Sequence, residues 1–184
     1  MADRNTQLNV GVIGAGWWAT SAHIPGIIQH GRAHLKAVQN RTKTKAEQVA
    51  RDFGADQAFT DYRELVLNGN VDAVIVSSTP NMHFEHAKFA LEHKKHVLIE
   101  KPMTFTVAES QELCRLAAEN NLQFLVSCPW HYTNHGIEAR RLIKEGELGD
   151  VRMISILMTN PLDKLLKGVN TSPTHGLNNV YVEP

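Results

Sequence analysis

The sequence predicts an α/β protein built on a doubly wound parallel sheet, and three observations lead to this prediction. Short apolar runs of the kind that form buried strands alternate with amphipathic segments of helical period. The connections between them are short. The first apolar run passes directly into a glycine-rich turn. Right-handed crossovers between such units give a parallel sheet that carries helices on both faces.

The first unit, residues 10–19, predicts a strand, a tight turn and the start of a helix. Gly14, Gly16 and Ala19 fill the three small positions of a G-x-G-x-x-G/A turn. Gly14 permits the turn, Gly16 lets a pyrophosphate approach the backbone, and Ala19 lets the helix lie close to the strand. The N–H groups at the start of the helix then face an anion. This context favours a Rossmann-type dinucleotide loop over a glycine turn that binds nothing.

The later elements follow in the same alternation. Further strands are predicted at 34–40, 57–59, 73–76, 96–99 and 124–126. The first helix runs from Ala19 to about Gln29, with a kink or restart at Pro25 because proline lacks an N–H group. The starts of the next helices are predicted at the capping boxes Thr44 with Glu47 and Thr106 with Glu109, at Asp61 with Glu64, and at the N-cap Asn81.

The end of the chain predicts the beginning of a second domain. A helix at 136–145 is followed by an apolar strand from Val151 to Met158, and the turn-rich remainder supplies few partners for it. We therefore expect a Rossmann domain at 1–130 and an incomplete second domain at 131–184. On this basis the chain is either a fragment or a protein that begins a second domain without completing it.

The composition narrows the classes of partner. Lysine plus arginine and aspartate plus glutamate number 19 each, so no long-range field favours nucleic acid or an acidic membrane. The chain carries no apolar signal segment and no run long enough to span a bilayer, which predicts a cytoplasmic protein. Cys114 and Cys128 are far apart in sequence and are expected to be reduced.

Four motifs, in this order and spacing, resemble the N-terminal half of the glucose-fructose oxidoreductase, inositol dehydrogenase and MocA family. They are G-V-I-G-A-G at 11–16, S-T-P-N at 78–81 followed by His83, V-L-I-E-K-P at 97–102, and E-G-E-L-G-D-V at 145–151. The resemblance implies a Rossmann domain followed by an α/β substrate domain with an open antiparallel sheet, through which homo-oligomers form. It also implies oxidation or reduction of sugars, polyols and related cyclic carbonyl compounds with NAD or NADP.

The same resemblance implies the roles of individual residues. The lysine of the Glu-Lys-Pro motif lies near nicotinamide and substrate in the family, which makes Lys101 the candidate catalytic residue. The His and Asp that accompany it would lie beyond Pro184, so these 184 residues alone are expected to bind cofactor without turnover. A non-enzymatic NAD(P)-binding sensor of the same fold is the alternative. The predicted cofactor-binding residues are Gly14, Gly16, Trp17, Trp18, Asn40, Arg41, Ser78, Thr79, Pro80, Asn81, His83, Glu100 and Lys101.

The end of the second strand predicts the cofactor. NAD-specific sites place a carboxylate there, whereas this chain has Asn40 followed by Arg41. A neutral amide tolerates a 2′-phosphate and a guanidinium binds two of its oxygens, so NADP is favoured over NAD.

The aromatic segment after the last strand predicts a substrate-lining surface at Trp130, His131 and Tyr132. Cys128, His131 and His135 have a spacing that zinc ligands use, but no fourth ligand is evident. We therefore predict no metal site.

Overall fold

The computed structural model describes residues 7–157 of the chain. The chain divides into two compact units, Met1–Ser127 and Cys128–Pro184. The first unit contains the predicted parallel sheet. In the second unit, the described residues contain a 3₁₀ turn at Pro129–Tyr132 and one α-helix, and the predicted antiparallel sheet lies outside them.

Six parallel strands form one sheet in the order β3-β2-β1-β4-β5-β6. The strand order reverses between β1 and β4, and ligands of open α/β sheets bind at the carboxyl ends of the strands at such a point. The strands are β1 Leu8–Ile13, β2 Ala33–Gln39, β3 Gln57–Phe59, β4 Ala73–Val76, β5 His96–Glu100 and β6 Phe124–Ser127. All six strands predicted for the Rossmann domain are confirmed within one or two residues at each end.

Helices follow the strands as predicted. They are α1 Ile24–Gln29, α2 Lys43–Phe53, α3 Tyr62–Asn68, α4 His83–Glu92, α5 Val107–Glu119 and α6 Asn134–Lys144. A π-helical segment, Ala19–His23, precedes α1, and a 3₁₀ turn, Pro80–Met82, precedes α4.

The sheet separates two apolar clusters, because successive side chains of a strand point to opposite faces. Val12 packs with Ile24 of α1 on one face, whereas the next residue, Ile13, packs with Leu91 of α4 on the other. All four side chains are fully buried. Both faces of the sheet are therefore covered, as the doubly wound prediction requires.

The predicted interruption at Pro25 takes the form of the π-helical segment. The N–H of Ile24 bonds to the carbonyl of Ala19, five residues earlier. Pro25 follows within the first turn of α1, where its missing N–H group leaves no helical bond unmade. The helix therefore restarts at the proline rather than breaking there.

Two predicted helix caps are wrong. Asn40 Oδ1 accepts from the N–H of Thr42 at 3.0 Å. Thr42 is the N-cap of α2, so the helix begins one residue before Thr44. Glu47 lies on that helix facing Lys43, 3.9 Å from its ammonium, and does not close a box with Thr44. Asn81 lies inside the 3₁₀ turn that Pro80 begins, so α4 starts after it.

The predicted strand from Val151 to Met158 is also wrong for the residues that the structure describes. Residues 151–157 form no strand and are exposed, whereas Met158 lies outside the described residues. A strand needs ladder partners, and within 7–157 none pairs with this segment. Apolar composition alone was an insufficient criterion here. No helix within 7–157 is both long and apolar enough to cross a membrane.

The capping box at Thr106 offers a comparison with the box that does not form at Thr44. Thr106 Oγ1 accepts from the N–H of Glu109, whose carboxylate accepts from the N–H of Thr106. We expect Thr106→Ala to lower the free energy of unfolding in urea by about 1 kcal/mol. Thr44→Ala, the matched control in another T-x-x-E sequence, is expected to change it by less than about 0.5 kcal/mol. Equal losses would contradict this account of the two helix starts.

Candidate cofactor-binding site

The glycine turn after β1 leaves no room for a side chain at Gly14. This residue has φ +80°, and a Cβ atom there would lie 2.6 Å from both Cα and N of Ser78. Both observations require glycine, because L residues rarely adopt this φ and backbone atoms cannot yield by such an amount. The turn therefore brings the end of β1 against the end of β4.

Gln39, at the end of β2, holds the turn from the other side. Its carbonyl accepts from the N–H groups of Gly14 and Ala15 at 3.1 and 2.7 Å, and its side-chain oxygen lies 3.1 Å from the first of them. Its amide nitrogen donates to the carbonyl of Thr60 beyond β3 at 2.8 Å. Gln39 is buried, so these bonds are shielded from water. The loop is thus fixed before any ligand arrives.

The next residues have the geometry of an anion cradle. A Cβ at Gly16 would meet only the carbonyl oxygen of Gly14, at 3.9 Å, so the space above this exposed glycine is open. The N–H groups of Trp17 and Trp18, which begin the helix, have no acceptor among the described residues. Open space, free N–H donors and the positive end of a helix suit a pyrophosphate. The third small residue, Ala19, is fully buried.

Asn40 and Arg41 occupy the end of β2 as predicted. Asn40 uses both ends of its amide inside the loop: Nδ2 donates to the carbonyl of Ala15 at 3.1 Å, and Oδ1 accepts from the N–H of Thr42. Arg41 is exposed. The guanidinium, rather than the amide, is therefore the group available to a ligand here.

The segment after β4 presents its polar residues at the same end of the sheet as the glycine turn. Thr79 and Asn81 are exposed, and Pro80 is half-buried. Ser78 faces inward instead, where Oγ lies 2.9 Å from His86 Nδ1 and its carbonyl lies 3.0 Å from His83 Nε2. Ser77 Oγ is buried and has no hydrogen-bond partner within the described part of the chain.

Glu100, at the end of β5, is a buried carboxylate. Trp18 Nε1 donates to Oε1 at 2.8 Å, His23 Nε2 lies 2.8 Å from the same oxygen, and the N–H of Lys101 donates to Oε2 at 3.1 Å. Burial by itself raises the pKa of Glu100, but the hydrogen bonds from His23, Trp18, Ser127 and the backbone outweigh it and lower the pKa to about 2. The carboxylate is therefore charged at neutral pH and joins β5 to the helix that follows the glycine turn.

The π-helical segment explains how two side chains of that helix reach one carboxylate. Trp18 and His23 are five residues apart, and the hydrogen bonds of a π-helix also join residues five apart, so the two lie one above the other. In an α-helix the same residues would point about 140° apart.

Lys101 is exposed, although both of its neighbours are fixed. Glu100 is held by the bonds described above, and the carbonyl of Pro102 lies 2.7 Å from His83 Nδ1. The Lys101–Pro102 peptide bond is cis. The ammonium therefore projects from an anchored backbone into open space.

The aromatic residues that the sequence predicts as contacts lie in two places. The rings of Trp17 and Trp18 lie 5.7 Å apart and are each about two-fifths exposed. Trp130, His131 and Tyr132 form the exposed 3₁₀ turn of the second unit, where His131 Nδ1 contacts Arg140 Nη2 at 3.0 Å. Within the described ranges no three His, Cys, Asp or Glu side chains are grouped as metal ligands.

Sequence analysis missed Gln39 and His23. A polar residue at the end of an otherwise apolar strand was a usable signal for Gln39. His23 had no local signal, since its role depends on the π-helical register and on a carboxylate 77 residues away.

Comparison with known proteins identifies relatives of this arrangement. A family described as "Oxidoreductase family, NAD-binding Rossmann fold" matches residues 8–128. An uncharacterized oxidoreductase of Synechocystis sp. is 33% identical over 153 residues, which are 83% of this chain and 41% of that protein. A dTDP-3,4-didehydro-2,6-dideoxy-alpha-D-glucose 3-reductase of Saccharopolyspora spinosa is 32% identical over 84% of this chain and 46% of its own length.

Among solved structures, a 3-ketoreductase from Actinomadura kijaniata in complex with TDP-benzene and NADP superposes with a TM-score of 0.73. It is 26% identical, and the match covers 80% of this chain and 46% of that one. The chain thus spans less than half the length of these relatives.

The low pKa of Glu100 predicts an acid-dependent contribution to stability. Its folded-state pKa of about 2 lies below the ordinary value of 4.5, so the stabilisation is present above about pH 4.5 and is lost as the pH falls towards 2. We expect Glu100→Gln to lower the melting temperature at pH 7, with a difference from the unmodified chain that shrinks between about pH 5 and pH 2. Glu92→Gln, at the exposed end of α4, removes a surface carboxylate and serves as the control, which should leave the melting temperature at pH 7 nearly unchanged. A constant deficit for Glu100→Gln across this range would contradict the assignment.

Proposed function

This chain belongs to the oxidoreductase family with an NAD-binding Rossmann fold, and on that basis we propose that it is the NAD(P)-binding part of a dehydrogenase or reductase. The proposed substrates are sugars, polyols or related cyclic carbonyl compounds. Two similar proteins support this class, since one is named as a reductase of a dTDP-linked sugar and another as a scyllo-inositol 2-dehydrogenase.

One observation carries the proposal. Trp18, at the start of the helix that follows the glycine turn, donates to the side chain of Glu100, the residue before Lys101. This contact brings the anion cradle and the exposed ammonium to one end of the sheet. A cofactor held by its phosphates at the first would extend towards the second, as ligands do at the switch point of an open α/β sheet.

The cofactor contacts are proposed from the groups that remain available. Gly14 and Gly16 would admit the pyrophosphate, and Lys101 would lie on the nicotinamide side. Asn40 and Arg41 would face the adenosine ribose, with Arg41 making the contact because the Asn40 amide is engaged within the loop. Ser78, Thr79, Pro80 and Asn81 would border that same side, with Trp17 and Trp18 over the phosphates. His83 and Glu100, also predicted as contacts, have side chains engaged in internal hydrogen bonds, which supports positioning roles for both.

The chemistry proposed for Lys101 is proton transfer at the substrate oxygen. A nicotinamide cofactor, when bound, would supply or accept the hydride. In reduction the Lys101 ammonium would stabilise the negative charge that develops on the oxygen and donate a proton to it. In oxidation the neutral Lys101 amine would accept the hydroxyl proton, a contribution worth roughly a hundredfold to ten-thousandfold in rate in either direction. Fixed neighbours on both sides of Lys101 favour this role, because catalysis depends on how well the group is positioned.

The second unit is proposed as the start of the substrate domain, with the boundary near residue 130. Trp130, His131 and Tyr132 would line the substrate, and homo-oligomers would form through the sheet of that domain. The proposed reaction also needs groups on the far side of the reacting carbon. We therefore propose that these 184 residues bind cofactor and do not turn over substrate by themselves.

The end of β2 predicts a preference for NADP. No carboxylate stands there to repel a 2′-phosphate, and the exposed Arg41 guanidinium can bind two of its oxygens. We expect calorimetry to give tighter binding of NADP than of NAD, and Arg41→Ala to weaken NADP about tenfold while NAD changes only a few-fold. Arg51→Ala, in the last turn of α2, is the control and should leave both affinities unchanged. Equal affinities for the two cofactors in the unmodified chain would refute the preference.

Binding and chemistry should separate under mutation. Gly16→Val places its Cβ in open space, so the variant is expected to fold and yet to lose cofactor binding, because the side chain occupies the proposed phosphate position. Gly31→Val, where a Cβ also meets nothing within 4 Å, is the matched control and should bind normally.

Lys101→Met is expected to keep cofactor affinity within a few-fold. In a protein that includes the substrate-binding half, it should cut turnover at least about a hundredfold. Loss of cofactor binding in Lys101→Met, or unchanged turnover, would remove Lys101 from the chemistry. Tight cofactor binding with no turnover in the unmodified longer protein would instead favour a cofactor sensor.

A further inference from the structure

The hydrogen-bonding environment of His83 determines more than the positioning role proposed above, because it also bears on the protonation state of the ring. Its side chain is only 1% exposed at the start of α4. Nδ1 lies 2.7 Å from the carbonyl oxygen of Pro102, and Nε2 lies 3.0 Å from the carbonyl oxygen of Ser78. Each ring nitrogen therefore faces a backbone carbonyl, a group that accepts hydrogen bonds and never donates them.

Only one protonation state of the ring satisfies both contacts. Neutral imidazole has one N–H donor and one lone pair, so either tautomer would point a lone pair at a buried carbonyl oxygen. The imidazolium donates at both nitrogens. We propose that His83 is a doubly protonated positioning residue that ties the end of β4 to the segment after β5.

The neighbouring histidine, His86, has a hydrogen-bond partner that allows its ring to be neutral. His86, one turn further along α4, faces the hydroxyl of Ser78, which can donate or accept. Burial lowers the pKa of His86 to about 4, and the positive charges of His83 and Arg63 act in the same direction. His86 is therefore neutral at pH 7, and the pair carries a single charge, on His83.

The other charged and titratable groups of this region lie on three elements. Tyr62 OH and Arg63 of α3 both donate to the Glu85 carboxylate of α4, and these bonds help lower the pKa of Glu85. Asp61 caps α3. Glu100 and Lys101 precede Pro102 along the chain. Glu85 and Glu100 are thus engaged by other donors, and the two backbone carbonyls are the groups that the His83 ring contacts directly.

The two carbonyls that His83 joins belong to the two segments proposed to border the nicotinamide. Ser78 is also the residue whose backbone lies against Gly14, and Pro102 follows Lys101 directly. The imidazolium therefore fixes the spacing between the glycine turn and the lysine. This positioning role rests on the proposed function, whereas the protonation state does not.

The protonation state can be measured on the unmodified chain without cofactor. We expect nitrogen-15 NMR of histidine-labelled protein at about pH 7.5 to show both ring nitrogens of His83 protonated, where an ordinary imidazole is about nine-tenths neutral. His86 in the same sample is the internal control and should show one nitrogen without a proton. An unprotonated ring nitrogen on His83 would overturn the proposal, and this result needs no variant to fold.

The positioning role has its own test. His83→Gln removes one of the two donors, and we expect it to shift the backbone amide resonances of Gly14, Ser78 and Lys101 and to weaken cofactor binding about tenfold. His93→Gln is the matched control and should do neither, because the His93 ring contacts the carbonyl and the ring of Phe89 at the far end of the same helix. Unmoved resonances in folded His83→Gln would overturn the positioning role. The unmodified chain could bind no cofactor while the resonances of His83→Gln still moved. In that case the proposed function would fail, and the link that His83 makes between the end of β4 and the segment after β5 would stand.

Discussion

The approach of two backbones at Gly14 is the constraint on which the rest of this structure depends. The end of β1 meets Ser78, at the end of β4, so closely that a single added carbon would overlap with backbone atoms. This contact occurs where the strand order reverses. Because the turn is held there from β4 and by Gln39 from β2, the N–H groups that follow it have a fixed direction. The anion cradle is therefore a property of the sheet as much as of the loop.

Two buried polar side chains, Glu100 and His83, fix the backbone around Lys101 in a comparable way. Glu100 carries a negative charge that is offset by donors from the first helix, and His83 sits between two carbonyl oxygens on the other side of Lys101. Buried polar groups are costly unless every hydrogen bond is made, so each of these groups favours one arrangement of the strand ends over its alternatives. The backbone on both sides of Lys101 is therefore fixed, whereas the exposed Lys101 side chain can still move.

The sequence predicted those features whose causes are local. Apolar runs located the strands, and the capping box at Thr106 formed because both of its partners lie within one turn. The predictions that were wrong depend on contacts outside the local sequence pattern. The box at Thr44 was displaced by a turn that Asn40 makes upstream. The apolar segment from Val151 has no ladder partner in the part of the chain that the structure describes, and a strand needs one. The contact of Trp18 with Glu100 spans 82 residues, and only the folded sheet brings the two together.

The contacts that the π-helical segment makes depend on the number of residues it contains. Trp18 and His23 meet one carboxylate because they lie five positions apart in a helix whose hydrogen bonds also join residues five positions apart. Deleting any single residue between them would restore the regular α-helical path and would leave every contact residue in the sequence. Trp18 and His23, then four residues apart, would still share a face, because an α-helical turn closes with one residue fewer than a π-helical turn. An added residue, by contrast, would carry the residues that follow it about 100° around the helix axis. The loss of one residue is therefore tolerated better here than the gain of one, and chain length in this helix is itself part of the site.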